Sequence, residues 1–356
     1  MNINVAADKS TATAGKAPFE VERLGARLGA EIHGLDLKQE HEPATFQALE
    51  AALIEHKIIV IRDQHLTTEQ HVAVSRHFGE LEVHPMRPQG QFPEILVLDN
   101  HKDNPVLSTD VWHSDTTFRK NPTKYTILRC EIMPKVGGDT LWADMEAAYD
   151  GLSDVFKGMI GGLRAMHDFK NFRVLFGKSE EDQAKLRKME EMFPNPLHPV
   201  VRTHPVSRRK SIYVNPQFTL QIDGMEPAES QAILNVLFAQ AQVPEYQFRH
   251  HWQPNTIAMW DNRSTQHYAV NDYFPQRRYM ERVTIKGGPV TGVERADPEN
   301  VRKAIRRTSG RPPDKRGKPQ APITAPLAWP LRSVIKNVVS LPRLAIAMKS
   351  SASLVR

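Results

Sequence analysis

Two segments of the chain, far apart in sequence, carry side chains able to share a metal ion. Trp112-His113-Ser114-Asp115-Thr116-Thr117-Phe118 sets an imidazole and a carboxylate two residues apart. On an extended strand, or at its exit, residues so spaced point to the same side. They can therefore bind one ion as adjacent ligands. One imidazole and one carboxylate suit Fe(II), Mn or Zn, and a second imidazole on the same face leaves the remaining positions open to other molecules. That second histidine must come from elsewhere, and Asp261-Asn262-Arg263-Ser264-Thr265-Gln266-His267 offers one, directly after the apolar run Thr256 to Trp260. His-x-Asp also arises by chance in a chain with 15 histidines. His33, His56, His71 and His77 read as surface or helix-packing residues.

A second cluster is basic: Arg277-Arg278-Tyr279-Met280-Glu281-Arg282. On a strand, Arg278, Met280 and Arg282 share one face. Val283 and Ile285 beyond them argue for a buried strand. Guanidinium groups on an inner face need anionic partners, because bare buried charge is costly, and their planar fork fits carboxylates and sulfonates. The alternative is a surface strand with solvated arginines.

Many short elements must position these groups. Apolar spacing predicts helices over Pro43–His56, Thr67–Phe78, Met145–Gly162 and Pro227–Gln240, and a charged, solvated helix over Ser179–Glu191. Val21–Leu37, with Gly25, Gly29 and Gly34, suggests short strands and turns, and strands are expected at Ile58–Ile61, Ile95–Leu98, Tyr125–Cys130, Thr140–Trp142, Val200–Thr203, Ser211–Val214, Thr256–Trp260 and Met280–Ile285, with a turn at Gly137-Gly138-Asp139. The class is α+β. Short strands without regular βα alternation favour a double-sheet barrel or jelly roll. No GxGxxG or Walker loop suggests a nucleotide cradle.

The 356 residues suit one large domain with appendages. A net charge of +6 conceals an asymmetry: residues 301–356 hold 13 Lys/Arg and one Asp, while the first 300 hold 34 Lys/Arg against 40 Asp/Glu. The folded part is thus mildly acidic, and nucleic acid is not expected as a partner. Residues 1–17 read as disordered, 18–290 as the folded domain and 291–356 as a basic, Pro-rich extension. Basic and apolar residues alternate over Leu331–Met348, a pattern that can touch an anionic membrane. Pro342 and the prolines before it favour a disordered tail instead. The single Cys130 excludes an internal disulfide and a thiolate-rich metal site. The polar N-terminus lacks a signal peptide's apolar core, and no apolar run approaches the roughly 18 residues of a membrane span. A soluble, cytoplasmic homo-oligomer is expected.

Taken in order, the motifs resemble the taurine dioxygenase family, which includes 2,4-dichlorophenoxyacetate dioxygenase. The likeness runs from about Phe19 to Gly288. It rests on Phe78-Gly79-Glu80-Leu81, Trp112-His113-Ser114-Asp115, Gly137-Gly138-Asp139-Thr140-Leu141-Trp142, His198-Pro199-Val200-Val201-Arg202-Thr203-His204-Pro205, Trp260-Asp261-Asn262-Arg263, Gln266-His267-Tyr268-Ala269, and Arg278 with Arg282. The resemblance implies a distorted double-stranded β-helix, or jelly-roll core, with flanking helices. It implies Fe(II) held by His113, Asp115 and His267, with 2-oxoglutarate and O2 as cosubstrates. It implies that Arg278 and Thr140 bind the far carboxylate of 2-oxoglutarate. For the substrate, a small organic anion, it implies Arg282, His84, Phe169 and Phe218. Taurine or a related sulfonate is the expected substrate, yielding sulfite and an aldehyde.

Some positions depart from the taurine enzyme's pattern. Arg87 stands where a tyrosine meets the substrate amine, the loop Asn104–Val111 lacks the expected asparagine, and Thr116 replaces a valine. An arginine there would repel an ammonium group. An amine-free sulfonate, an alkyl sulfate or an aryloxyalkanoate fits these departures as well. A rival reading, a non-catalytic barrel binding protein with a membrane-associating tail, predicts that a ligand or Arg278 should be missing. All are present.

Overall fold

The structure, a computed structural model, describes residues 18–83, 91–104, 110–169, 173 and 176–293. His84, Arg87, part of the Asn104–Val111 loop, the segment 1–17 and the extension beyond Val293 lie outside the described residues.

The apolar runs pair into a seven-stranded sheet in the order β1 (Glu20–Arg23), β2 (Ala30–His33), β3 (Ile58–Ile61), β13 (Ile257–Asp261), β5 (Tyr125–Ile132), β15 (Arg278–Ile285) and β4 (Leu96–Asn100). The sheet is mixed: β2 and β3 run parallel, and the other neighbours are antiparallel. Alternation along each strand sorts its two faces. Ile59, Ile61, Tyr125, Ile127, Ile257, Met259, Val283 and Ile285 pack with α1 (Pro43–His56) and α2 (Thr68–Arg76). The other parity, Ile58, Val60, Leu128, Cys130, Ala258, Trp260 and Met280, meets Trp142 and Trp252.

Trp142 belongs to a second sheet, ordered β12 (Gln247–His250), β6 (Thr140–Asp144) and β14 (Thr265–Ala269). Its neighbour on β6, Ala143, points the other way, into a cluster with α3 (Met145–Asp150) and α6 (Pro227–Ala239). Two smaller sheets complete the described residues. One is ordered β11 (Thr219–Ile222), β7 (Arg164–His167) and β8 (Leu197–Pro199). The other pairs β10 (Lys210–Ile212) with β9 (Val201–Thr203). No helix among the described residues is long and apolar enough to cross a membrane.

The helix ends follow their sequence signals. Thr67 caps α2 in a reciprocal capping box with Gln70. The single helix expected over Met145–Gly162 is two: α3 ends at Gly151, and Ser153 starts α4 (Asp154–Ile160) by accepting from the Phe156 amide. The charged helix forms as α5 (Glu180–Met192), but it is not solvated all round, since Met189 is buried among phenylalanines. Five strands were not expected from the sequence: β7, β8, β11, β12 and β14.

Candidate metal centre and active site

The His-x-Asp segment lies against β14 through a two-residue bridge. His113 donates its amide to the His267 carbonyl at 3.0 Å, and His267 donates back to the His113 carbonyl at 2.7 Å. The two histidines are thus direct backbone partners, and their rings lie 4.1 Å apart. One ligand atom from each of His113, Asp115 and His267 falls within 4.8 Å of the others, and all three residues are buried. Among the described residues no other group of three or more His, Cys, Asp or Glu meets that condition.

The protonation states suit a cation. His113 Nδ1 lies 2.7 Å from the Val111 carbonyl. A carbonyl only accepts, so Nδ1 keeps the proton and Nε2 presents a lone pair. Burial lowers both imidazoles, and His267, also beside His113, is pushed down to about 3. Burial acts against the Asp115 carboxylate, but Arg282 and the two histidines outweigh it and hold the group well below the usual range. All three side chains are therefore in the deprotonated form that a metal needs. Two imidazoles and one carboxylate on one side, with hydrogen bonds steadying His113 and Asp115 from behind, fit Fe(II).

Arg278 and Arg282 share the inner face of β15, as the alternation requires. Arg278 is buried and forms no ion pair among the described residues. Its Nε donates to the Gly138 carbonyl at 3.2 Å, and its guanidinium stands over the Tyr273 ring. Glycine is needed at 138: φ is +76°, and a Cβ would sit 2.6 Å from Met133 Cε and 3.3 Å from Arg278 Cδ. Thr140, two residues on, accepts from Trp252 Nε1 at 2.9 Å and keeps its own proton to donate. Arg282 is partly buried and donates from Nη1 to Asp115 Oδ1 at 3.1 Å. Its Nε is buried without a hydrogen-bond partner among the described residues.

Phe218 meets the His113 ring edge-on at 6.1 Å. It packs with Phe118, which packs in turn on Phe169 and Phe193. Phe169 therefore stands behind Phe118. Leu186 and Met189 of α5 back this cluster. His84 lies outside the described residues.

Two contributors escaped the sequence. Thr126 on β5 donates to Asp115 Oδ2 at 2.6 Å, and Asn262 bonds to both Thr126 and the Asp115 amide. Asn262 stands inside a motif noted above, but its partners depend on a strand register that the sequence does not display.

A second buried cluster lies just beyond Trp260. Asp261 accepts from His204 Nε2 at 3.0 Å and from Arg263 Nε and Nη2 at 2.8 and 2.6 Å. Arg263 Nη2 also reaches the Tyr125 hydroxyl at 2.7 Å, which donates to Glu50.

Comparison with known proteins agrees with this geometry. Residues 20–284 match the family described as "Taurine catabolism dioxygenase TauD, TfdA family". The chain is 35% identical to an alkylsulfatase of Acinetobacter baylyi, over 77% of this chain and 87% of the relative. It is equally identical to an alpha-ketoglutarate-dependent sulfate ester dioxygenase of Pseudomonas putida, over 78% and 92%. Among solved structures, a taurine dioxygenase from Burkholderia xenovorans superposes with a TM-score of 0.65 at 33% identity, over 77% of this chain and 93% of that one.

Proposed function

The chain belongs to the taurine catabolism dioxygenase TauD, TfdA family and is a 2-oxoglutarate-dependent dioxygenase that uses Fe(II), and on that premise we propose that it oxidises a small organosulfur anion with an apolar body, a sulfonate or an alkyl sulfate ester. The observation that carries this reading is the pairing of opposites around one ligand cluster. Arg282 offers a guanidinium on one side of Asp115, and the Phe218–Phe118 wall offers hydrocarbon beside His113. A charged head and an apolar tail match that pair. The names of the two 35%-identical relatives support sulfate esters, and the structural neighbour supports a sulfonate.

In this reading His113, Asp115 and His267 hold the metal, and Fe(II) with 2-oxoglutarate supplies the O2 activation. Arg278 and Thr140 bind the far carboxylate of 2-oxoglutarate, which supplies the anion that a buried, unpaired guanidinium needs. Arg282 grips the substrate head. Phe218, Phe118 and, behind them, Phe169 hold the tail and exclude water. By the family resemblance His84 contacts the substrate, and an arginine at position 87 disfavours an ammonium group. Oxidation at the carbon bearing sulfur or sulfate oxygen leaves an unstable hydroxylated carbon. It collapses to an aldehyde with release of sulfite or sulfate.

The seven-stranded sheet and the β12-β6-β14 sheet form the two walls of a distorted double-stranded β-helix, which the shared core of Trp142, Trp252 and Trp260 supports. The catalytic domain spans 18–290, and the enzyme works as a cytoplasmic homo-oligomer with 1–17 and 291–356 as appendages.

The test is substrate-coupled succinate release with Fe(II), ascorbate and 2-oxoglutarate. Taurine, an alkanesulfonate, an alkyl sulfate and an aryloxyacetate are compared by kcat/KM. An alkyl-bodied organosulfur anion should lead, and Arg282→Ala should raise its KM about tenfold, roughly 1.4 kcal/mol, with the 2-oxoglutarate KM unchanged. A lead by taurine or by the aryloxyacetate overturns the reading.

A further inference from the structure

The carboxylate of Asp115 has two oxygens with different surroundings. Oδ1 lies 3.9 Å from His113 Nε2 and 4.0 Å from His267 Nε2, and it accepts from Arg282. It is the oxygen that faces the imidazoles. Oδ2 accepts from Thr126 Oγ1 at 2.6 Å.

The direction of every hydrogen bond behind Oδ2 is fixed by chemistry. The Asp115 amide and the Trp260 indole N–H can only donate, and both point at one oxygen of Asn262, each at 3.1 Å. That atom is therefore Oδ1, and Asn262 Nδ2 must be the group 2.8 Å from Thr126 Oγ1. An amide nitrogen only donates, so the Thr126 hydroxyl accepts there and commits its single proton to Asp115. The result is a closed ring: Asp115 amide, Asn262, Thr126, Asp115 carboxylate. One Asn side chain thereby grips both the backbone and, through Thr126, the carboxylate of the same residue. The ring rests on the sheet, because Thr126 pairs directly with Trp260 across β5 and β13. All members are buried.

We infer that Thr126 and Asn262 are positioning residues that hold Asp115 to one-oxygen ligation, keeping Oδ2 turned away so that a second coordination position is not consumed. This rests on the assignment of Asp115 as a ligand. A carboxylate free to rotate can close on a cation with both oxygens, and the groups that orient a ligand from behind commonly set metal affinity by 10–100-fold.

The test uses the full chain with Co(II) as the probe, with and without 2-oxoglutarate, reading affinity by titration and coordination by the visible Co(II) bands, which weaken as coordination number rises. Thr126→Val keeps the shape and removes the proton. It should change the affinity by about 10-fold or more and weaken the bands, while Thr126→Ser restores both. Thr126→Cys, a weaker donor, should fall between, and it decides the matter with Thr126→Ser if Thr126→Val does not fold. Wild-type affinity and bands in Thr126→Val, or in Thr126→Cys, overturn the inference. So does Thr126→Ser behaving like Thr126→Val, since packing by the methyl would then be what matters. Asp115→Ala separates this from the parent assignment: if it binds Co(II) as wild type, Asp115 is not a ligand, and the premise fails rather than the ring.

Discussion

The chain buries two clusters that each combine a carboxylate, a guanidinium and imidazole, and they differ in what is left over. Around Asp261 each carboxylate oxygen is bonded, Arg263 is shared with Tyr125, and His204 closes the side. Around Asp115 the groups are left with unspent valences. Among the described residues neither His113 Nε2 nor His267 Nε2 makes a hydrogen bond, and Arg282 Nε is buried without one. Arg278, on the same strand as Arg282, has no counter-ion among the described residues. In both clusters the Asp is held strongly ionised against its burial. Similar charges are therefore arranged differently: the closed cluster ties strands together, whereas the open one keeps metal-binding atoms unpaired among the described residues.

Substituting the carboxylates breaks the comparison most sharply. Asp115→Ala should abolish metal-dependent turnover, a loss on the order of 10³-fold or more, equivalent to about 4 kcal/mol of barrier, with unfolding by urea little changed. Turnover near wild type would dissolve the distinction. The arginines come next. Arg263→Ala leaves Asp261 buried without its main partner and should cost roughly 3–5 kcal/mol of stability. Arg278→Ala removes a charge with no counter-ion among the described residues. It should leave stability level or improved while raising the 2-oxoglutarate KM, by an amount matching roughly 2–5 kcal/mol of lost anion binding. Equal destabilisation by both would show that Arg278 is structural.

The smallest effect concerns acid. His250 belongs to neither cluster, and burial pushes it down to about 4. An unfolded histidine titrates near 6.5, so between those values the unfolded chain binds the extra proton. The stability that neutral His250 contributes is full above about 6.5 and is lost as pH falls through about 4. In urea melts between pH 7 and pH 4.5, His250→Gln should lose on the order of 1–2 kcal/mol less than wild type. An unchanged slope would assign the acid sensitivity to the clusters.

The members of the candidate cluster, His113, Asp115 and His267, and both inner arginines were legible from local spacing read together with the ordered motifs of the family. The strand carrying His267 was not. Thr265–Ala269 reads Thr-Gln-His-Tyr-Ala, and its polar residues are buried by specific bonds, such as Gln266 to the Val214 carbonyl, rather than by apolarity. Short polar strands such as Arg164–His167 and Gln247–His250 hid for the same reason. The break between α3 and α4 was signalled by Gly151 and Ser153 but masked by apolar residues on either side. Leu186, Met189 and Phe193 at helical spacing marked a buried stripe on α5 that its charges obscured. The pairing of Thr126 with Asn262 had no local signal, since the bond between them joins positions 136 residues apart.

The two-residue bridge between His113 and His267 bears on how the site is assembled in time. Holding together points about 150 residues apart has a loop-closure cost of about 4 kcal/mol from (3/2)RT ln n. The surrounding sheets meet that cost as the chain folds, so the two histidines are juxtaposed without an ion, and an ion held there would not have to order them. The same bridge is a thin seam, two hydrogen bonds wide. Hydrogen exchange at these two amides should report the opening of this seam, and an ion held by both histidines should act as a reversible staple that slows it.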